Sequence, residues 1–210
     1  MDNFNQRKKD VLSKLDKSSV GKWDSQITKL CNKINLKENY YTTSSCSGRI
    51  LLMIEQEKKG ENLFLFVSHD KISFKELKNE IDKIVSPPNS SLHSHERNNA
   101  RENSRPPREN LKIKFKLEPC ILHIACKNLE DAEKLFEIGK NAGWKRLGII
   151  GTRNGFTFEL NSTEKLEFPI IKNKKILVDD NFLNIVVDEA NGKLEKGWGK
   201  IRKLGKEFSR

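Results

Sequence analysis

Two hydrophobic periods run along the chain and divide it into elements. Phe4, Val11, Leu12 and Leu15 share one helical face, so a helix is predicted over 4–15, ended by the Ser-Ser-Val-Gly break at 18–21. Ile27, Leu30, Cys31 and Ile34 recur at the spacing i, i+3, i+4, i+7. That predicts a second helix with Asp24 at its N-cap and Cys31 as a small core residue. β-prone residues from Tyr40 to Ser45, a turn at Ser47-Gly48 and the stretch Ile50 to Ile54 predict two strands. The unbroken run Leu63-Phe64-Leu65-Phe66-Val67 reads as a central strand covered on both faces. Phe74 to Val85 returns to the helical period.

Further on, Leu111, Ile113, Phe115 and Leu117 alternate with Lys112, Lys114 and Lys116. A period of two turns the lipophilic side chains inward and sets three ammoniums in a row outward. Pro119 interrupts, and Cys120 to Cys126 resumes as a buried strand. Asn128 caps a predicted helix carrying Leu129, Ala132, Leu135 and Phe136, and Gly143 closes it. Arg146 to Gly151 and Phe156 to Leu160 read as strands joined around Asn154-Gly155, a short hairpin signal, and Leu166 to Ile171 adds another. From Asp179 a last helix shows Phe182, Val186, Ala190, Leu194 and Trp198 every four residues, with Gly197 and Gly199 weakening its end. The fold class is α+β, a mixed-sheet core with flanking helices, without the strict strand–helix alternation of a Rossmann-type fold.

Residues 86–110 break both periods. The stretch holds four of the six prolines with five Asn and five Ser, and its only aliphatic residues are Leu92 and Ala100. Such a composition buries too little apolar surface to offset the entropy of ordering, so it reads as a disordered insertion. Arg97, Arg101, Arg105 and Arg108 within it are either contacts for a nucleic acid backbone or parts of an inert loop. The remaining stretch of about 185 residues suits a single domain spanning 1–210.

Charge narrows the partners. Lys and Arg number 40 against 29 Asp and Glu, a net charge of +11. That surplus points to a polyanion, with a generally Lys-rich surface as the plain alternative. No apolar run approaches the roughly 18–20 residues of a spanning helix. The opening MDNFNQRKKD lacks the apolar core of a secretory signal. Four scattered Cys and no CxxC pair exclude a disulfide framework and a zinc ribbon. A soluble, cytoplasmic protein is expected.

The densest polar cluster is Tyr40-Tyr41-Thr42-Thr43-Ser44-Ser45-Cys46-Ser47-Gly48-Arg49. Hydroxyls and a Gly let a ligand approach backbone N–H groups, and Arg49 can fork onto a carboxylate or phosphate. The stretch is an anion- or cofactor-binding turn, or else a Thr/Ser-rich hairpin with a core Cys. His69 follows the 63–67 run and precedes Asp70, as a general base or a loop cap. Cys120, His123 and Cys126 do not make a metal site, because in a strand 123 points away from 120 and 126. No Walker A loop, GxGxxG or HExxH is present.

Taken together, YYTTSSCSGRI (40–50), LHIAC (122–126) and AGWKRLGII (142–150) resemble the signature segments of the tRNA wybutosine-synthesizing protein 3 family. The resemblance runs from DKSSVGKWDSQI (16–27) through LNSTEKLEFPI (160–170) into the last helix, with only 86–110 lacking a counterpart. It implies an S-adenosylmethionine-dependent methyltransferase of non-Rossmann α/β fold. Its substrate would be the aminocarboxypropyl-demethylwyosine at position 37, in the anticodon loop of phenylalanine tRNA, methylated on N4 in wybutosine biosynthesis. Other enzymes of that pathway become candidate partners, and no metal is implied.

Carried over residue by residue, the resemblance places Thr42, Ser44, Ser45, Cys46, Gly48 and Arg49 at the cofactor, joined by Cys126, Gly148 and Ile149. Thr42 stands where Ser is usual and keeps the hydroxyl; Leu147 also replaces a Ser and does not. His69 and His123 become the candidates to accept a proton. Ser44, Ser45, Arg49 and the turn's N–H groups would bind the cofactor carboxylate, and Cys46 would line the pocket. Lys112, Lys114, Lys116 and the basic last helix would follow the tRNA phosphates. A tRNA-binding module without catalysis and a thiol-dependent enzyme using Cys46 are the alternatives.

Overall fold

The computed structural model describes residues 3–14, 24–55, 63–86, 111–152 and 155–209. The expected insertion lies outside these residues except for Ser86, and so does Asn154 of the expected hairpin. Two compact units are present. The first takes Met1–Arg49, Glu118–Lys165 and Gly192–Arg210, the second Ile50–Leu117 and Leu166–Asn191.

The first unit is built on a four-stranded sheet. Its strands are β1 (Tyr40–Cys46), β5 (Ile121–Cys126), β7 (Phe156–Asn161) and β6 (Arg146–Gly151), in that spatial order, each antiparallel to its neighbour. Helices α1 (Asn3–Leu12), α2 (Ser25–Leu36) and α4 (Leu129–Asn141) belong to the same unit. The predicted stripe on α2 is real: Ile27, Leu30, Cys31 and Ile34 are all buried. Asn128 caps α4 by accepting from the backbone N–H of Asp131 at 2.8 Å, and Gly143 (φ +86) takes the left-handed conformation that ends it. Tyr40 is buried edge-on against Phe208, with ring centroids 5.8 Å apart.

The second unit holds a five-stranded sheet in the order β3 (Phe64–Ser68), β2 (Arg49–Ile54), β4 (Lys112–Glu118), β8 (Leu166–Lys172) and β9 (Lys175–Ile176), with α3 (Phe74–Val85) in the same unit. The alternation in β4 is as read: Ile113, Phe115 and Leu117 are buried while the lysines between them are not. Phe115 stacks on Phe168 at 5.4 Å. Ser73 and Glu76 close a reciprocal capping box at the start of α3. The α+β class therefore holds, with the strands divided over two sheets and every pair of resolved register antiparallel.

One expectation is corrected and another is refined. The 63–67 run is not a central strand, because β3 lies at the sheet edge with Phe64 and Val67 substantially exposed. Its neighbour β2 instead carries three consecutive fully buried residues, Ile50, Leu51 and Leu52. A run of apolar residues records composition, and only pairing decides which strand is inside. Gly197 and Gly199, expected to weaken the end of the last helix, do not interrupt it. α5 (Asp180–Glu207) runs through both, contributing residues up to Asn191 to the second unit and the rest to the first. A Cβ at Gly197 would lie 2.6 Å from Sγ of Cys120, so the glycine serves packing.

Candidate functional site

The three signature segments are remote in sequence, yet β1, β5 and β6 are strands of one sheet. Ser44 stands opposite His123, His123 opposite Glu159, and Glu159 opposite Gly148. Directly opposed residues point to the same face, so these four form a row across the whole sheet. Next to it runs a second row on that face, Cys46, Ile121, Asn161 and Arg146. The other face carries Leu122, Ile124, Phe158 and Leu160, all buried. Period-two alternation thus gives the sheet one lipophilic side and one side with a polar band.

His123 and Glu159 are the chemical centre of that band. His123 Nε2 lies 2.8 Å from Glu159 Oε2, with the side chains 25% and 29% exposed. Glu159 was missed by sequence reasoning. Its one signal was a carboxylate alternating with Phe158 and Leu160 in FTFEL, which identifies an outward position and no partner. At the end of the row, a Cβ on Gly148 would meet nothing within 4 Å, so bare backbone faces open space there. Ile149 has the opposite parity, opposing Phe158, and is 40% exposed. At the other end a register shift between Thr42 and Ser44 inserts Thr43 as a bulge, with both Thr43 and Ser44 exposed.

Other predicted residues are engaged elsewhere. Thr42 is buried; its N–H donates to Asn35 Oδ1 at 2.8 Å, and Asn35 Nδ2 donates to its hydroxyl at 3.1 Å, tying β1 to α2. Ser45 Oγ is buried with no hydrogen-bond partner. Cys126 lies on the lipophilic face, where burial, followed by the nearby Asp131 charge, pushes its thiol up to about 12. Cys120 is likewise raised to about 12, chiefly by burial. Neither thiol is a nucleophile at neutral pH. Cys126 and His123 occupy opposite faces, as the alternation required. Leu147 opposes Leu160 on the lipophilic side, so the Ser it replaces would not have reached the His123 face.

The Ser47-Gly48 turn does bind an anion, but the anion is the protein's own. Asp24 Oδ2 accepts from the backbone N–H of Ser47 at 2.8 Å and from its hydroxyl at 3.0 Å. Asp24 stands at the N-cap of α2 as expected, but its side chain makes no cap bond. The Ser47 carbonyl accepts from Trp198 Nε1 at 3.1 Å and from Cys120 Sγ at 2.9 Å. Ser47, fully buried, therefore has no backbone donor to offer a cofactor carboxylate. Gly48 is required by its φ of +92 and by Glu118 O and Leu194 Cδ2, each 3.2 Å from where a Cβ would stand. Arg49 Nε donates to Glu118 Oε2 at 2.7 Å.

In the second unit His69 is half-buried on the bend after β3. Lys112 and Lys114 both pair with Glu55, at 2.7 and 2.5 Å. Lys114 and Lys116 also reach Glu167, at 3.1 and 3.6 Å. Three ammoniums thus share two carboxylates on the outward face of β4. None of the four cysteines is joined in a disulfide, and among the described residues no helix is long and apolar enough to cross a membrane.

Comparison with known proteins fits this geometry. A family model described as methyltransferase TYW3 matches residues 6–210. The tRNA wybutosine-synthesizing protein 3 homolog of Danio rerio is 31% identical over 209 residues, covering 97% of this chain and 73% of its own length. A Thermococcus sibiricus protein named tRNA(Phe) 7-((3-amino-3-carboxypropyl)-4-demethylwyosine(37)-N(4))-methyltransferase is 30% identical over 213 residues, covering 99% and 95%. Among solved structures, the PH1069 protein from Pyrococcus horikoshii superposes with a TM-score of 0.78 at 30% identity, covering 97% of this chain and 93% of that one. A hypothetical protein from Aeropyrum pernix shares the fold, with a TM-score of 0.66 at 21% identity.

Proposed function

The chain belongs to the methyltransferase TYW3 family, and from that premise we propose that it methylates phenylalanine tRNA. The acceptor is N4 of the aminocarboxypropyl-demethylwyosine at position 37, the methyl donor is S-adenosylmethionine, and the setting is the cytoplasm. The observation that carries this reading is the row Ser44, His123, Glu159 and Gly148, which gathers all three signature segments on one sheet face.

The row suits the donor chemically. Open space over Gly148 admits a flat group against the backbone, Glu159 accepts from a cation or from ribose hydroxyls, and Ser44 offers an exposed hydroxyl. S-adenosylmethionine, when bound, supplies a methyl group on a sulfonium sulfur. The chain's residues do the rest by positioning and by excluding water from an in-line displacement. The acceptor N4 carries a proton that must leave if the product is to be neutral. With Glu159 ionised, His123 donates Nε2–H to it and keeps the lone pair on Nδ1, the atom we assign to receive that proton. We also assign His69, in the second unit, a role in proton exchange. Cys46 borders the row on its own face and Arg49 is held in place by Glu118, whereas Ser45, Cys126 and Ile149 stand on the opposite face and support the strands that carry the row. Lys112, Lys114 and Lys116 contribute the net positive charge of their ladder to the tRNA backbone.

The experiment incubates the purified protein with S-adenosylmethionine and phenylalanine tRNA from cells lacking this step, then weighs the modified nucleoside after digestion. A gain of one methyl group on the tricyclic base is expected. Retained tRNA binding without that gain would replace the reading with a binding module.

A further inference from the structure

Asp24 lies outside all three signature segments, and the way it is held sets it apart from an ordinary helix cap. Its carbonyl oxygen begins α2, accepting from the N–H of Ile27 at 3.0 Å and from the hydroxyl of Thr28 at 2.9 Å. An Asp in this place normally turns its carboxylate back onto its own helix N–H groups. Here it makes no such bond, and its carboxylate reaches instead across 23 residues to the backbone N–H and hydroxyl of Ser47. The remaining polar atom of Ser47, its carbonyl oxygen, is held by Trp198 and Cys120. Ser47 is fully buried and follows directly on Cys46, the last residue of β1.

From this we infer that Asp24 is a positioning residue for methyl transfer, fixing the exit of β1 so that Ser44 keeps its register opposite His123. The inference rests on the methyltransferase reading. The physical case is that β1 leaves its sheet two residues after Ser45 and has already slipped by a bulge at Thr43. A strand interrupted by a bulge is held in register by its two ends. Asn35 holds one end at Thr42, and Asp24 holds the other at Ser47. Releasing Ser47 lets the stretch 43–46 shift relative to β5, and a displacement of about 1 Å at a catalytic row costs on the order of a hundredfold in rate.

Two substitutions separate geometry from charge. Asp24→Asn keeps an oxygen acceptor for the Ser47 N–H and removes the charge, whereas Asp24→Ala removes both. We would measure methyl transfer to phenylalanine tRNA, S-adenosylmethionine affinity by calorimetry, and thermal unfolding for each. The expected result is that Asn retains turnover and donor affinity within about fivefold, while Ala loses about a hundredfold in turnover at a temperature where it remains folded. An Asn variant that folds but is as inactive as Ala would overturn the inference, because the charge itself would then be acting. A fully active Ala variant would overturn it too. If Ala does not fold, the Asn variant alone decides between these results. Failure of the methyltransferase reading looks different, since the unsubstituted protein would then transfer no methyl group.

Discussion

Gly197→Ala tests why α5 keeps a glycine where it lies against Cys120. A Cβ at this position would stand 2.6 Å from Sγ of Cys120, about 1 Å inside an ordinary non-bonded contact of roughly 3.5–4 Å. Cys120 is 2% exposed and cannot swing into solvent. It can leave only by rotating its one side-chain torsion, which would break its 2.9 Å bond to the Ser47 carbonyl. Against that stands the intrinsic preference for Ala over Gly within a helix, about 0.5–1 kcal/mol. Overpacking a tight interior costs about 1–3 kcal/mol, so the net expectation is a loss of about 1–2 kcal/mol, or roughly 2–8 °C in Tm for a chain of this size. In a Cys120→Ala background the sulfur is gone, and Gly197→Ala should then stabilise by about 0.5–1 kcal/mol. Thermal unfolding of the four proteins completes a double-mutant cycle with a coupling of about 2 kcal/mol. A stabilising effect in the wild-type background, or the same effect in both backgrounds, would refute the packing argument.

Glu159→Gln should leave the fold intact and lower the turnover of methyl transfer by about 10- to 100-fold, because an amide no longer holds the His123 tautomer as a carboxylate does. Unchanged turnover across pH 6–8 would remove Glu159 from the site. Replacing Lys112, Lys114 and Lys116 together by Ala should reduce the slope of log tRNA affinity against log salt by clearly less than three, since Glu55 and Glu167 already engage these ammoniums; a change near three would mean all of them meet phosphates. The Glu164–Lys200 pair, at 2.7 Å with both side chains mostly buried, gives a pH signature. Burial works to raise the Glu164 carboxyl, but hydrogen bonds from Lys200 and Ser162 and the Lys200 charge together hold it below its ordinary 4.5. A folded pKa below the unfolded one means the stabilisation is full above about pH 4.5 and is lost as pH falls through the folded value. Glu164→Gln should therefore lower stability by roughly 1–2 kcal/mol at pH 7, and the difference in Tm should close in acid.

Much of this protein was legible in its residue order. The bounds of α3, the stripe of α2, the Asn128 cap and the lysine alternation of β4 follow from local period and capping chemistry, which act over a few residues and leave their mark in the sequence. So did the three segments that carry the family resemblance. Tertiary structure decided whatever depends on which residues meet. It set β3 at an edge although its run is apolar, joined His123 to Glu159 across 36 residues, and turned Asp24 from its own helix to Ser47. It also converted a glycine expected to weaken α5 into the point where that helix lies against Cys120. The physical reason is common to all four. Propensity and periodicity describe what a segment does alone, whereas pairing order, buried hydrogen bonds and close approach are properties of two segments at once, and no single stretch of the chain encodes its partner.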